Sequence, residues 1–255
     1  MELEIHDNNQ ADAFCSIFQH MKLVSDTINL MFNKERLYVQ ALDSGNIVIT
    51  EIFLPANWFH SYKVDGDGVV IGITVSIFYK VLNTREKGQT IHMAFEKDND
   101  RLQIKFTSKD PNIYDKRFEL PLVDLDTESL HIPEFESHVD IELSSSKFAS
   151  IINQMIIFSD SIEFDCKPEK IVCSASGNEA GKMEVVIDND IACLEDVDMK
   201  LGFSLHKLHD ICMYSKISKN VVISLTENFP IRILYDVGGG DGKLYFYLAP
   251  KIEND

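Results

Sequence analysis

The sequence predicts an α+β fold used twice in tandem, with antiparallel sheets and two short helices in each half. Three observations support this prediction: an internal repeat, many segments in which apolar and polar residues alternate, and four short segments with helical periodicity. Strand-like segments outnumber helical ones too heavily for alternating βαβ units. Antiparallel sheets with the helices gathered on one face are therefore expected.

The internal repeat has the length of a small domain. Residues 14–41 align without a gap on residues 148–175, with nine identical pairs in 28 positions. A shorter match brings residues 72–75 onto residues 202–205. A repeat of roughly 130 residues is far longer than the ~20–50 residues of a solenoid unit. The chain therefore contains one domain-sized fold twice.

Local periodicity predicts the elements of each half. Apolar residues at i, i+3 and i+4, as at Phe14, Ile17 and Phe18, indicate helices of about three turns with one apolar face. The predicted helices are residues 11–24, 75–84, 146–156 and 204–214. Alternation with a period of two predicts strands at residues 37–40, 47–54, 69–73, 90–95, 102–106, 170–174, 183–187, 221–225, 231–237 and 244–248.

A segment without helical or strand periodicity separates the halves. Between Glu119 and Glu134 it holds two prolines and five acids, which indicates an extended connector on the surface. Its apolar residues are too many for a free tether, so some of them are expected to pack against the body. The expected division is a first domain over residues 1–118, a connector over residues 119–137 and a second domain over residues 138–255.

Composition restricts the classes of protein. The net charge of −17 argues against a nucleic-acid binder when the whole surface is considered, because phosphate binders normally carry a basic surplus. No apolar run reaches the ~20 residues of a membrane helix, and the acidic N-terminus has no secretory signal. Five cysteines without a Cys-x-x-Cys pair predict a reduced, intracellular protein.

The charge is distributed unevenly along the chain. The 46 residues of the predicted helices hold four lysines but only two acids, Asp12 and Asp210. An even spread of the 41 acids would place about seven there. Either this is chance in a small sample, or the helices form a face that lies near phosphates and binds them only weakly.

Three patterns resemble chemical sites but are interpreted as structural. His206 and His209 have metal-ligand spacing on a helix, yet no nearby Cys or carboxylate completes a zinc set. Cys166 and Cys173 flank a predicted strand-turn-strand. The glycines of residues 238–242 suggest a phosphate loop, but their surroundings do not match its pattern, so a hairpin turn is expected. No catalytic pattern is recognisable, and neither an enzyme, a cofactor nor a metal is predicted.

The tail, Tyr247–Glu253, and the connector segment 122–134 are the most distinctive stretches of the chain. Together with the turns at residues 42–44 and 174–177, they resemble the proliferating cell nuclear antigen (PCNA) family, the sliding clamps of eukaryotic DNA replication. The resemblance extends over the whole chain. It implies a duplicated DNA-clamp fold with helices inside and a continuous sheet outside, and three copies joined head to tail in a ring around duplex DNA.

The resemblance assigns residues to three surfaces. The partner-binding groove, which takes short motifs of the Gln-x-x-aliphatic-x-x-aromatic-aromatic kind, maps onto Leu42, Ile47, Ile49, Leu125, Leu130, Ile132, Pro230, Tyr247, Leu248, Ala249, Pro250 and Ile252. The DNA-facing residues map onto Lys22, Lys80, Lys147, His206, Lys207 and Lys216. The interface between copies maps onto an expected strand at residues 114–118 of one copy, with Tyr114 and Phe118, and onto the strand at residues 182–187 of the next, with Met183 and Val185. Ordinary core packing is the alternative explanation for the groove residues.

Several positions depart from the family. Phe14 and Ser150 stand where the family usually has basic residues, so the DNA-facing charge is thin. Pro168 occupies the position of the family's modified lysine, and that regulation does not carry over. Ser137 replaces a groove aromatic, for which Phe135 can substitute.

The predicted function is that of a non-enzymatic DNA sliding clamp, a homotrimer that tethers DNA polymerase to DNA and recruits replication and repair proteins, including a clamp loader. Three alternatives stay open. They are a monomeric DNA-binding processivity factor of the same fold, a subunit of a heterotrimeric ring that signals damage, and a β-rich scaffold without a role on DNA. The expected location is the nucleus or the replication compartment of a large DNA virus.

Overall fold

The structure is a computed structural model that describes residues 1–96, 99–126, 129–133, 135–168, 170–189, 191–194, 196–238 and 240–251. The chain forms two compact units. Unit 1 comprises residues 1–44, 50–130 and 236–244, and unit 2 comprises residues 45–49, 131–235 and 245–255. Each unit therefore includes a short segment from the other half of the sequence.

Unit 1 contains two antiparallel sheets and two helices. The helices are α1 (Asn8–Met21) and α2 (Val75–Leu82). The strands are β1 (Glu2–Ile5), β2 (Thr27–Phe32), β3 (Arg36–Leu42), most of β4 (Val48–Pro55), β5 (Ser61–Lys63), β6 (Val69–Thr74), β7 (Thr90–Ala94), β8 (Arg101–Thr107) and β9 (Lys116–Pro121). One sheet has the order β5-β1-β7-β8-β9 and the other the order β4-β3-β2-β6.

Unit 2 repeats this plan. Its helices are α3 (Ser145–Met155) and α4 (Leu205–Cys212). Its strands are β10 (Val139–Ser144), β11 (Ser161–Lys167), β12 (Lys170–Gly177), β13 (Gly181–Ile187), β14 (Ile191–Cys193), β15 (Met199–Ser204), β16 (Asn220–Leu225), and parts of β17 (Ile231–Val237) and β18 (Gly242–Leu248). The sheet orders are β13-β12-β11-β15 and β14-β10-β16-β17-β18.

The backbone hydrogen bonds confirm that one fold is used twice. In unit 1, β2 pairs with β6, and the N–H of Val75 at the start of α2 donates to the carbonyl oxygen of Asp26 (2.9 Å). In unit 2, β11 pairs with β15, and the N–H of Leu205 at the start of α4 donates to the carbonyl oxygen of Asp160 (3.0 Å). These residues correspond under the sequence repeat, so each helix starts from the same strand junction.

The helix bounds differ from the predictions in ways that local chemistry explains. Helix α1 begins at Asn8 rather than residue 11, because the Asp7 carboxylate accepts hydrogen bonds from the N–H groups of Asn9 and Gln10 (2.8 and 2.9 Å). Helices α2 and α4 have eight residues each, so the prediction of about three turns is wrong for them. After α4 the chain continues as a 3-10 helix, Met213–Lys216.

The apolar stripes of the helices form the cores of their units. In unit 1 the ring of Phe18 meets those of Phe14 and Phe78 edge to face, at centroid distances of 5.0 and 4.8 Å. In unit 2, α3 buries Phe148 and Ile152 among other residues. None of the helices in the described residues has the length and apolar composition needed to cross a bilayer.

The glycine-rich turn between β17 and β18 packs around the single tryptophan of the chain. Trp58 is 2% exposed, and its Nε1 donates to the carbonyl oxygen of Val237 (2.9 Å). A Cβ atom at Gly242 would lie 2.9 Å from the indole, and Gly238 has a φ of +67°. Close packing and turn geometry therefore require these glycines, which confirms the prediction of a hairpin rather than a phosphate loop.

Seven strands in the described part of the chain were not predicted, namely β1, β2, β5, β10, β11, β14 and β15. Strand β2 gives no alternating signal, because it has five apolar or amide residues in succession from Ile28, whereas β11 and β15 do alternate between buried and accessible residues. The strand expected at residues 114–118 begins instead at Lys116. Tyr114 lies in the preceding loop with its side chain 81% exposed, and its carbonyl oxygen accepts a hydrogen bond from Gln89 Nε2 (2.9 Å). Its predicted place on this strand is wrong.

Candidate DNA, partner and subunit surfaces

The helix surface of unit 1 carries two exposed lysines. Lys22 caps the C-terminus of α1, and its Nζ lies 5.4 Å from the centroid of the Tyr79 ring. Lys80 is exposed in the last turn of α2. The charge of each therefore faces solvent.

The one acid of α1 is neutralised within unit 1. Asp12 is exposed, and its Oδ1 lies 2.7 Å from Nη1 of Arg85, whose side chain is only 4% exposed. The same guanidinium donates to Oδ1 of Asn8 (2.6 Å) and to the carbonyl oxygen of Gln89 (2.9 Å). Arg85 thus anchors the loop after α2 and cancels the only negative charge on α1.

The helix surface of unit 2 is also basic on balance. Lys147 in α3 and Lys216 at the end of the 3-10 helix are exposed, while Lys207 in α4 is half-buried. His206 is exposed, but its Nε2 lies 2.9 Å from Oδ1 of Asp160. The ring of His206 is therefore paired with a carboxylate, and the lysines carry most of the positive charge of this surface.

The connector runs along unit 1 and is held by backbone and side-chain hydrogen bonds. The N–H of Val123 donates to the carbonyl oxygen of Gly72 in β6 (2.9 Å). Further along, Gln40 in β3 donates to the carbonyl oxygen of Leu130 (2.9 Å) and accepts from its N–H (2.7 Å). These contacts confirm that the connector packs against the body of the protein.

The tail has the corresponding position in unit 2. The N–H of Lys251 donates to the carbonyl oxygen of Gly202 in β15 (2.8 Å), and Gly202 is the repeat counterpart of Gly72. The N–H of Ala249 donates to the carbonyl oxygen of Ile47 (2.9 Å). The connector and the tail are thus equivalent continuations of β9 and β18.

The far end of the connector is anchored by an aromatic contact in unit 2. The ring of Phe135 stacks on that of Phe229 at 4.7 Å, and the guanidinium carbon of Arg232 lies 5.6 Å from the Phe135 centroid. The Ser137 hydroxyl donates to Oδ2 of Asp140 (2.6 Å). Phe135 is therefore half-buried by its own unit.

The predicted groove residues are distributed over both units, and most of them are accessible. In unit 1, Leu130 is 46% exposed, Leu42 is half-buried, and the half-buried Leu125 accepts a hydrogen bond from Asn29 at its carbonyl oxygen (3.3 Å). In unit 2 the accessible members are Ile47, Ile49, Ile132, Pro230, Tyr247, Ala249 and Pro250. Leu248 is wrong as a groove residue, because its side chain is fully buried in the core. Ile252 lies outside the described residues.

The predicted interface residues lie at the ends of two sheets. Strand β9 ends the five-stranded sheet of unit 1, and β13 ends the four-stranded sheet of unit 2. Phe118 is half-buried opposite Ile104 of β8, and Met183 and Val185 are half-buried on the inner side of β13. Each strand leaves one row of backbone groups without a neighbouring strand among the described residues, and such a row is able to pair with a strand of another chain.

Burial makes two of the cysteine thiols less acidic. The described residues contain no group of three or more His, Cys, Asp or Glu side chains arranged to hold a metal ion. All five cysteines are free. Burial raises the pKa of the Cys15 thiol to about 11 and that of Cys173 to about 12, so neither thiol ionises near neutral pH.

Comparison with known proteins matches both halves of the chain to one family. Residues 3–129 match the model of the proliferating cell nuclear antigen N-terminal domain, and residues 131–252 match that of its C-terminal domain. The chain is 27% identical to the proliferating cell nuclear antigen of Chaetomium thermophilum over 255 residues, covering 96% of this chain and 97% of that relative. It is 26% identical to DNA polymerase sliding clamp 1 of Pyrobaculum aerophilum over 248 residues, covering 95% and 96%.

The close approach of the connector to β6 can be tested with Gly72→Ala. The new Cβ would lie 2.0 Å from the carbonyl oxygen of Val123, so the connector has to move away. We expect faster amide exchange at Val123 and a loss of about 1–3 kcal/mol in the free energy of unfolding. Hydrogen-exchange mass spectrometry and denaturant titration measure these effects.

The repeat supplies the matched control. Gly202→Ala places its Cβ no closer than 3.9 Å to Lys251 and Ile162, an ordinary contact, and should leave the tail in place. Equal behaviour of the two variants would contradict the assigned role of Gly72.

Proposed function

We propose, from the premise that this chain belongs to the proliferating cell nuclear antigen family of DNA sliding clamps, that three copies join head to tail in a ring around duplex DNA. Such a ring keeps DNA polymerase at the DNA through topological linkage and multivalent contacts. The observation that carries the proposal is the scarcity of acids on the helices of a chain with a net charge of −17.

The polar sides of the helices are the proposed DNA-facing surface. The exposed charges of Lys22, Lys80, Lys147 and Lys216, with smaller contributions from His206 and Lys207, attract phosphates without base-specific contacts. Because the charges are few, they permit sliding along the duplex. The acidic remainder of the chain repels DNA, which disfavours binding at any other surface.

The proposed seam between copies joins β9 of one copy to β13 of the next. Both strands end their sheets, and both carry half-buried apolar side chains toward the inner side, namely Phe118, Met183 and Val185. Pairing the two edges satisfies the open row of backbone groups on each and buries these side chains. A head-to-tail contact of this kind closes into a ring when its rotation allows.

The proposed partner surface consists of the accessible groove residues beside the connector and the tail. Half-exposed apolar side chains such as Ile47, Ile132 and Tyr247 can receive the aliphatic and aromatic side chains of a short helical plug. An extended flank of the peptide is proposed to lie along the connector, whose Leu125 and Leu130 are held by hydrogen bonds within unit 1. The partners are DNA polymerase, a clamp loader and other proteins that carry a Gln-x-x-aliphatic-x-x-aromatic-aromatic motif.

We propose no catalytic activity, cofactor or metal for this protein, in keeping with a family of non-enzymatic processivity factors. The proposed place of action is the site of DNA replication, in a nucleus or in the replication compartment of a large DNA virus.

Two observations would favour the alternative functions. A monomer in solution would favour the processivity factor of the same fold, and dependence on a second kind of subunit would favour a mixed ring.

The seam is tested by Phe118→Ala. The wild type should have a mass near three times 29.0 kDa. The variant should release monomers, because the proposed seam buries Phe118 and truncating a buried Phe costs roughly 3–5 kcal/mol. Sedimentation over a dilution series measures both. The matched control is Phe229→Ala, which removes a Phe that is 36% exposed and distant in sequence from either seam strand, and should leave the trimer intact. A variant at Phe118 that sediments like the wild type would remove this seam.

The mode of DNA binding is tested with linear and circular duplexes. A short linear duplex should bind at ~10⁻⁴ M or more weakly at physiological salt, whereas circular DNA should retain the protein after loading by a clamp loader. The double variant Lys80→Glu with Lys147→Glu should weaken binding to the linear duplex further. The control variant Lys34→Glu with Lys109→Glu changes the charge by the same amount at exposed sites outside the helices, and it should weaken this binding less. Tight, salt-resistant binding to the linear duplex would support the monomeric processivity factor.

Recruitment is tested by titrating a motif peptide in a calorimeter. The wild type should bind it with micromolar affinity, around −8 kcal/mol. Ile132→Ser with Tyr247→Ala should abolish binding and leave the trimer intact, because neither residue lies on the seam. The control variant Ile157→Ser with Tyr79→Ala makes the same two types of substitution outside the predicted groove, and it should bind the peptide with the affinity of the wild type. Equal affinity of the wild type and the groove variant would remove the groove assignment.

A further inference from the structure

We infer that the seam between copies has one specific register, in which Arg117 lies opposite Glu184 and Glu119 lies opposite Lys182 of the neighbouring copy. This inference rests on the proposed head-to-tail ring and adds the contacts that select its alignment. The partner is a second copy of this chain, and the argument is charge complementarity between the outer faces of two edge strands.

The two edge strands have the same division into inner and outer faces. On β9, Phe118 lies opposite the buried Ile104, so Phe118 is on the inner face and Arg117 and Glu119 are on the outer face. On β13, Met183 lies opposite the buried Ala175, so Met183 is on the inner face. Its neighbours Lys182 and Glu184 are therefore on the outer face, with side chains 55% and 51% exposed.

The outer face of β9 has an unbalanced charge at its edge. Arg117 lies opposite Lys105 of β8, which is a like charge, and Glu119 lies opposite Gln103. Within the described part of the chain, no ion pair is formed by either Arg117 or Glu119. A strand that pairs with the open edge of β9 is therefore expected to place an acidic side chain opposite Arg117 and a basic side chain opposite Glu119.

Strand β13 carries one basic and one acidic side chain on its outer face, in the order that complements Arg117 and Glu119. Lys182 and Glu184 pair with each other (2.8 Å) in the separate chain. When β13 runs antiparallel to β9 with Phe118 opposite Met183, Glu184 meets Arg117 and Lys182 meets Glu119. The two inner apolar side chains then meet as well.

The neighbouring registers are disfavoured. A shift of two residues in one direction puts Arg117 opposite Lys182, and a shift of two in the other direction puts Glu119 opposite Glu184. A shift of one residue exchanges the inner and outer faces. A parallel arrangement that joins Arg117 to Glu184 leaves Glu119 opposite Val186. The one register that forms two pairs of opposite charge is the antiparallel one with Phe118 opposite Met183.

Exposed ion pairs contribute little free energy, so their effect here is to select the alignment rather than to supply the affinity. The affinity comes from the backbone hydrogen bonds of the new strand pair and from burial of Phe118, Met183 and Val185. Reversing one charge nevertheless places like charges opposite each other at every seam of the ring.

The register is tested first by charge reversal. Arg117→Glu should raise the dissociation constant of the seam about tenfold and reverse the sign of its salt dependence, and Glu184→Arg alone should also weaken the seam. The double variant Arg117→Glu with Glu184→Arg should restore assembly. Sedimentation at several salt concentrations measures all three. A double variant weaker than both single variants would overturn the pairing.

The register is tested independently by cysteine cross-linking under mild oxidation. Arg117→Cys with Glu184→Cys should give covalent oligomers on a non-reducing gel, because directly opposed residues meet the distance requirement of a disulfide. Arg117→Cys with Val186→Cys, displaced by two residues, should not. Preferential linkage at residue 186, or no linkage at either position in an intact trimer, would overturn the register. A wild-type chain that stays monomeric at every concentration would overturn the ring itself.

Discussion

The hydrogen bond from the Val123 amide to the Gly72 carbonyl decides the course of the chain as it leaves the first half. Gly72 has no side chain, so the connector can approach β6 within 2.0 Å of the place where a Cβ would be. The repeat uses the same backbone contact for Lys251 and Gly202. One interaction, used twice, therefore positions both the connector and the tail, the two segments in which the proposed partner surface is concentrated.

The charge of the helices depends on a buried cation as much as on exposed lysines. Arg85 is almost fully buried and donates to Asn8, Asp12 and the carbonyl group of Gln89. A buried guanidinium is tolerated because each of these acceptors replaces lost hydration. Its carboxylate partner is the only acid of α1. An acidic protein can thereby keep a helix surface without net negative charge, although the number of surface lysines is small.

Sequence patterns predicted what depends on local periodicity and missed what depends on distant contacts. The apolar stripe at Phe14, Ile17 and Phe18 was sufficient to predict α1, while its true start depends on the cap at Asp7. Strand β2 escaped prediction because both of its faces are largely buried, so its residues do not alternate. Leu248 resembled a groove residue through its place in the tail motif, but the alternation along β18 points its side chain into the core. No local signal predicts that residues 236–244 join unit 1, since that assignment arises from contacts with residues such as Trp58.

The position of residues 236–244 has a consequence for the folding of the protein during its synthesis on the ribosome. These residues cover Trp58 in unit 1, yet Val237, which accepts the hydrogen bond of the indole, follows Trp58 by 179 residues. At a synthesis rate of ~5–20 residues per second, the first half has emerged for roughly ten seconds before its last strand segment exists. The nascent first half consequently presents an open apolar site around the indole, and unit 1 becomes complete only after residues 236–244 have been synthesised.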